Sequence, residues 1–265
     1  MPASDSPRTE ATPLLALGPR IAHSYVDLHC HTSTSFDSLA SPASVVRAAI
    51  ARGLTHLAIT DHERISGALE AREHALAQDP GEGSLTVIVG EEIRSRDGDL
   101  VAVFLAESIP PGLSGAETIA AVRAQGGLVG IPHPYDRSRG GSMHRAGGAA
   151  LEALAGSVDW IEAWNARVLI GNANQRAAEL AAATGVPGIA SSDAHTSMEV
   201  GIASTVLDGD LSTAEGLLAA LAGPRQLVFG RASAYVRLMT PVAKAVQRFR
   251  GNRRLAAPAS VGSGR

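Results

Sequence analysis

The feature that most constrains this chain is where its histidines fall. There are nine, and five of them (His29, His31, His62, His133 and His195) stand directly after short apolar runs that read as β-strands. The first run ends Val26-Asp27-Leu28-His29-Cys30-His31 and passes into the polar turn Thr32 to Asp37. If strand geometry persists to its end, alternation puts His29 and His31 on one face and Cys30 on the other. Two imidazoles so placed can grip one metal ion. Asp37, on the turn, can reach a second ion. A single strand-end histidine is ordinarily a hydrogen-bonded, partly buried imidazole. Five of them together with Asp37, Asp61, Glu92 and Asp193 point to transition-metal ligation, in which carboxylates can bridge two ions.

Between these positions the chain alternates strands and helices. Expected strands cover residues 25–29, 57–60, 85–89, 100–105, 128–131, 160–163 and 188–190, with one more at 202–207. Expected helices cover residues 43–52, 66–78, 114–125, 149–155, 172–184, 211–221 and 240–250. Ser41-Pro42 supplies an N-cap and a first-turn proline, while Gly53, Gly126 and Gly185 supply stops. Alternation of this kind predicts a mostly parallel sheet. No glycine-rich dinucleotide fingerprint follows the first strand. Polar residues collect after nearly every strand, which favours a barrel whose site lies at the carboxyl ends of all its strands.

Bulk properties exclude other classes. With 265 residues, 45% of them hydrophobic, the chain can build one sizeable core. Aromatics are only 3%, so that core rests on Ala, Val, Leu and Ile. The formal net charge of −3 gives no general attraction to nucleic acid or to an anionic membrane. One cysteine excludes an internal disulfide. No apolar run approaches the roughly 20 residues of a membrane span, and Leu14 to Leu17 is too short for a secretory core. A cytoplasmic protein is expected. Residues 1–20, rich in Pro and Ser, and residues 251–265 read as flexible tails around a barrel domain at 21–250.

In order along the chain, His29-x-His31, Thr60-Asp61-His62, Gly90-x-Glu92-Ile93, Pro132-His133-Pro134 and Ser192-Asp193-Ala194-His195 resemble the motifs of the PHP (polymerase and histidinol phosphatase) family. The resemblance covers about Tyr25 to His195. It implies a distorted (β/α)7 barrel with two or three divalent ions (Mn, Fe or Zn) at the carboxyl ends of the strands. In the family pattern His29, His31, Glu92 and Asp193 form the first site. Glu92 bridges to a second ion that His133 also holds, and Asp37, His62 and His195 form the third. Asp99 stands where many relatives carry a further histidine; as a ligand it would harden the second site towards Mn or Fe.

The activity so implied is hydrolysis of a small phosphomonoester or nucleotide by a metal-bridging hydroxide, with Asp193 and His195 assisting proton transfer. Asn165 and Arg167, beyond the sixth strand, and Arg137, in the loop after His133, are candidate substrate contacts. The arginines read equally well as solvated charges. Glu162 reads as a buried structural carboxylate, Glu91 as a surface or salt-bridging neighbour, and Asp61 as a group orienting an imidazole. The partner expected is a small phosphorylated molecule, with no long nucleic acid and no membrane. Two rival readings remain. One is a nuclease or nucleotide phosphatase acting on RNA ends or bisphosphorylated nucleotides, helped by Arg248, Arg250, Arg253 and Arg254. The other is a non-catalytic accessory domain that binds metal.

Overall fold

The computed structural model describes residues 23–78, 85–136, 148–169 and 171–255. The strands are β1 (His23–Asp27), β2 (His56–Ile59), β3 (Thr86–Arg94), β4 (Asp99–Val103), β5 (Leu128–Ile131), β6 (Trp160–Asn165), β7 (Gly188–Ser191), β8 (Ser204–Asp208) and β9 (Arg225–Val228). The helices are α1 (Pro42–Ala51), α2 (Ser66–Gln78), α3 (Gly115–Ala124), α4 (Gly148–Ala155), α5 (Ala173–Thr184), α6 (Ala214–Ala222) and α7 (Ala234–Phe249).

Among the described residues nine strands form one sheet in the order β7-β6-β5-β4-β3-β2-β1-β8-β9. The sheet curls until its ends nearly meet. Beyond β1 and β7 the chain makes a parallel bridge between Cys30 and Ala194, with His31 N donating to Ala194 O at 2.8 Å and Asp193 N to His29 O at 2.9 Å. Lower down, the Thr205 hydroxyl on β8 accepts from Ala190 N and donates to Ala190 O. The seam between β7 and β8 is thus stitched by one side chain where backbone pairing lapses.

Pairing is parallel within β1-β2-β3 and within β5-β6-β7. It is antiparallel around β4, where β8 joins β1 and where β9 joins β8. The barrel is therefore mixed, with more strands than the repeat reading counts. The turn at Ser95–Gly98 explains β4, because so short a link permits a hairpin and not a crossover. β9 is short and largely exposed, and Arg225–Val228 carries little strand signal.

Strand alternation sorts the core into two shells. Ala58, Ile88, Val101, Leu128, Trp160 and Ile189 pack together inside the barrel, joined by Leu217 and Leu221 of α6. Leu57, Ile59, Val87, Val89, Leu100 and Ala102 face outward, against Val45, Val46 and Ala49 of α1 and Ala68 and Ala71 of α2. Inside, Trp160 demands glycine opposite it, since a Cβ on Gly130 would lie 2.1 Å from the indole. Capping follows the sequence. The Ser41 hydroxyl accepts from Ser44 N with Pro42 in the first turn, and Ser114 and Glu117 form a reciprocal capping box. The last helix departs from expectation: α7 begins at Ala234, capped by Ser233, and carries Pro241 inside it. Burial of Val236 and the Ser233 cap hold the extra turns before a residue that more often starts a helix.

Candidate metal centre

β1, β2, β3, β5 and β7 all deliver their carboxyl ends to one rim of the barrel. There His29, His31, Glu92 and Asp193 are sealed from solvent, and Asp37, His62, His133 and His195 nearly so. β3 runs on past its expected end, so alternation turns Glu92 inward and Glu91 outward. Glu91 is not at the surface, however. It is fully buried, and its Oε2 accepts from Ile109 N.

Among the described residues three groups of ligand atoms converge within 4.8 Å: His31, Asp37, His62 and His195; His29, His133 and Asp193; and His29, His31 and Glu92. Glu92 is at the middle. Its Oε2 lies 3.3 Å from His29 Nε2, His31 Nε2 and His62 Nδ1, and its Oε1 lies 3.3 Å from His133 Nε2. Asp193 Oδ1 lies 3.5 Å from His31 Nε2 and 3.7 Å from His29 Nε2. Asp37 Oδ2 sits 3.3 Å from His62 Nε2 and 3.4 Å from His195 Nε2. Asp193 (φ 52) and His133 (φ 28) hold positive φ values that side-chain-bearing residues seldom adopt. Such backbone costs about 1–3 kcal/mol per residue and persists where the surroundings enforce it.

The donor chemistry fits cations. His195 Nδ1 faces the Asp193 carbonyl at 2.9 Å, and a carbonyl only accepts, so the ring proton lies on Nδ1. Burial, together with the Arg167 charge, pushes the His195 imidazole down to about 3, so it is neutral. Its Nε2 lone pair then faces the carboxylate oxygen of Asp37. Two acceptors against each other in a buried site call for a positive ion between them. Burial would also raise the Glu92 carboxyl, but His62, His133 and His29 outweigh it and hold Glu92 well below the ordinary carboxylate range. Burial lowers His31, and Asp193 and Glu92 reverse that, bringing it to about 9. The carboxylates are thus poised to hold positive charge.

A second layer of polar groups sets the ligands. Glu162 Oε1 meets His29 Nδ1 at 2.7 Å, and Glu162 Oε2 accepts from His133 N and from the Asn165 amide. Asn165 also donates to Asp193 Oδ2 at 3.0 Å and is wholly buried. It braces ligands from behind, its amide nitrogen spent on Glu162 and Asp193 and its oxygen on Arg167 N. Arg167, likewise buried, grips Glu199 at 2.9 and 3.1 Å, and Glu199 in turn accepts from His195 N. Asp61 takes the Thr32 backbone and hydroxyl at 2.6 Å each, so it fixes the turn after His31 and not an imidazole ring. The α2 backbone presses on that pair: a Cβ on Gly67 would lie 2.1 Å from Asp61 Oδ2.

Asp99 stands outside the three convergent groups. It is ion-paired with Arg94, and Arg254 donates to it at 3.3 Å. Arg137 lies outside the described residues. Sequence reasoning missed the C-terminal segment, which it assigned to a tail from residue 251. Arg254 donates to Glu63 at 2.8 Å and approaches His62 Nδ1 at 3.4 Å. Asn252 donates to the carbonyl of Thr34. Ahead of it, the buried Gln247 amide donates to the carbonyls of Ser33, Ser35 and Ser38, clamping the loop that carries Asp37. Nothing local in the sequence marks Gln247 or Arg254, since their partners lie some two hundred residues away.

Comparison with known proteins agrees with this geometry. A model of the PHP domain matches residues 27–134, and one described as PHP-associated matches residues 171–223. Two uncharacterised proteins of Methanocaldococcus jannaschii are similar. One is 38% identical over 119 residues, covering 41% of this chain and 67% of that protein. The other is 30% identical over 176 residues, covering 66% and 67%. Among solved structures, a two-domain protein from Bacteroides vulgatus containing a predicted PHP-like metal-dependent phosphoesterase superposes with a TM-score of 0.63 at 20% identity. That match covers 79% of this chain and 65% of the other, so the chain spans about two thirds of that structure's length, and the likeness is one of fold.

Proposed function

The chain belongs to the PHP family, and from that premise we propose that it is a metal-dependent phosphoesterase acting on a small phosphomonoester or nucleotide. The observation that carries the reading is the convergence of five imidazoles and three carboxylates on one buried rim, with Glu92 between the groups. In this reading His29, His31, Glu92, Asp193 and His133 hold one pair of ions, and Asp37, His62 and His195 hold a further ion. Such ions, when bound, supply Lewis acidity and make a coordinated water acidic enough to attack at neutral pH.

The protein's own part is orientation and charge. Glu162 fixes the His29 tautomer so that Nε2 faces the centre, and the Asp193 carbonyl does the same for His195, whose backbone N–H is held by Glu199. Beside His62 opens a cavity of about 350 Å³ lined by Phe36, Lys244, Arg248, Asn252, Arg253 and Arg254. The Phe36 ring lies 4.8 Å from that of His62. A cationic wall around one aromatic ring suits a small anionic substrate with a flat or apolar part, and guanidinium groups are apt phosphate partners. Arg254 thereby joins Arg137 as a candidate phosphate contact. Asn165 and Arg167, with their polar atoms engaged in bracing ligands, are assigned to positioning.

The test is elemental analysis of the purified protein paired with hydrolysis of an aryl phosphate under added Mn, Fe or Zn. His29→Ala is the control. Two or three equivalents of metal, with turnover lost in the variant, support the reading. Absence of metal under every supplementation would overturn it.

A further inference from the structure

The chain's charge is segregated. Every Asp and Glu lies before residue 216, while residues 216–265 carry nine Lys and Arg. A net charge of −3 averages over an acidic body and a strongly basic C-terminal region. Much of that region is α7, whose Val236, Ala243 and Gln247 are buried against the barrel. Tyr235, Leu238, Val242 and Phe249 recur at helical spacing on another face, 66%, 69%, 48% and 94% exposed. Ala245, exposed as well, completes the stripe. Arg248 and Arg250 are exposed on its two flanks, while Lys244 turns the other way, its Nζ 5.4 Å from the Phe36 ring. An aliphatic and aromatic stripe this open on an ordered helix is a docking face, since scattered single exposures are common but an aligned row is not.

We propose that α7 seats this protein on an anionic lipid bilayer, lying in the plane of the headgroups. The occupant must match both halves of the face. A second copy would bring like charge against Arg248 and Arg250, with no carboxylate in this region to offset it. A nucleic acid offers phosphate charge but no aliphatic depth for Leu238 and Val242. A bilayer with anionic headgroups offers both, and basic helices with an apolar stripe bind there by burying the stripe while their cations meet the headgroups. At 16 residues α7 extends about 24 Å. Among the described residues no helix is long and apolar enough to cross a membrane, so α7 would lie on the surface and not span it.

The test is co-sedimentation of the full chain with phosphatidylcholine vesicles, with and without about one third phosphatidylglycerol. The proposal expects binding to the anionic vesicles only, weakened by added salt. The double variant Leu238→Glu/Val242→Glu should lose roughly tenfold or more in affinity, since it removes buried apolar area and adds repelled charge. Both residues are exposed, and an unchanged melting curve would certify the fold. Equal binding of the variant, or no binding to anionic vesicles at low salt, overturns the proposal. A dimer seen by light scattering without lipid and abolished by the same variant would give the face to a second copy. Binding to RNA in place of vesicles would likewise overturn it.

Discussion

Glu162 Oε1 stands 2.7 Å from His29 Nδ1, and neither side chain touches solvent. The pair fixes which imidazole nitrogen is left for a metal. It also ties β6 to β1 across the barrel, and Glu162 Oε2 braces His133 N at the same time. Glu162→Gln keeps the shape and removes the charge. Metal affinity should fall roughly 10- to 100-fold, the usual cost of losing such a supporting carboxylate. Titration of the metal-stripped protein with Mn or Zn measures it. An unchanged affinity would mean that Glu162 serves packing alone.

Gln247 holds three carbonyls of the loop that carries Asp37. Gln247→Ala takes this donor from the Ser38 carbonyl and leaves those of Ser33 and Ser35 only the longer 3.4 Å bonds from Asn252, at a cost of about 1–3 kcal/mol. Urea denaturation should read that loss. Because the loop also carries Asp37, metal bound by the Asp37, His62 and His195 group should be released first as chelator is added. Loss of stability with all metal retained at wild-type affinity would separate the clamp from the site.

Glu91 offers a pH dependence. Burial raises its carboxyl from the usual 4.5 to about 8, against the opposing bond from Ile109 N. A raised folded-state value means that folding favours the protonated acid. The contribution is fully present below about 4.5 and is lost as pH rises towards about 8. Glu91→Gln keeps an acceptor for Ile109 N and cannot ionise. The variant should therefore gain stability over the wild type as pH climbs through this window. Thermal melts of both proteins across that range give the answer, and parallel curves would contradict it.

How much of this was legible beforehand depends on the range of each signal. The five strand-end histidines, Glu92 and Asp193 each follow an apolar run, so local pattern placed them on one rim before any coordinates. The Ser41 and Ser114 caps were equally local. The β3–β4 hairpin was also written in the short turn at Ser95–Gly98, but the repeating strand–helix rhythm suggested a parallel sheet. β9 escaped because four mostly exposed residues carry no buried face to pattern. Arg254, Gln247 and the bracing role of Asn165 were hidden for a different reason. Each acts through a contact across the barrel mouth, which one sequence does not encode locally.

Asp99 brings the family pattern and the geometry into direct opposition. Many relatives carry a histidine ligand of the second ion at this place, which makes Asp99 a candidate for that role; in the structure its carboxylate is ion-paired with Arg94 and bonded to Arg254. Arg254 is also held by the buried Glu63. If Asp99 serves to hold Arg254 at the cavity beside His62, Asp99→Asn should leave the metal stoichiometry unchanged and raise KM for an aryl phosphate. Arg254→Gln should lower kcat/KM more, by roughly 100- to 1000-fold, the range seen when a donor to developing negative charge is removed. A ligand role predicts the reverse. Asp99→Asn would then lose one equivalent of metal and most turnover, while Arg254→Gln would leave the metal count intact. Elemental analysis of the two variants side by side decides between the arginine anchor and the ligand, because only a ligand changes the number of ions retained.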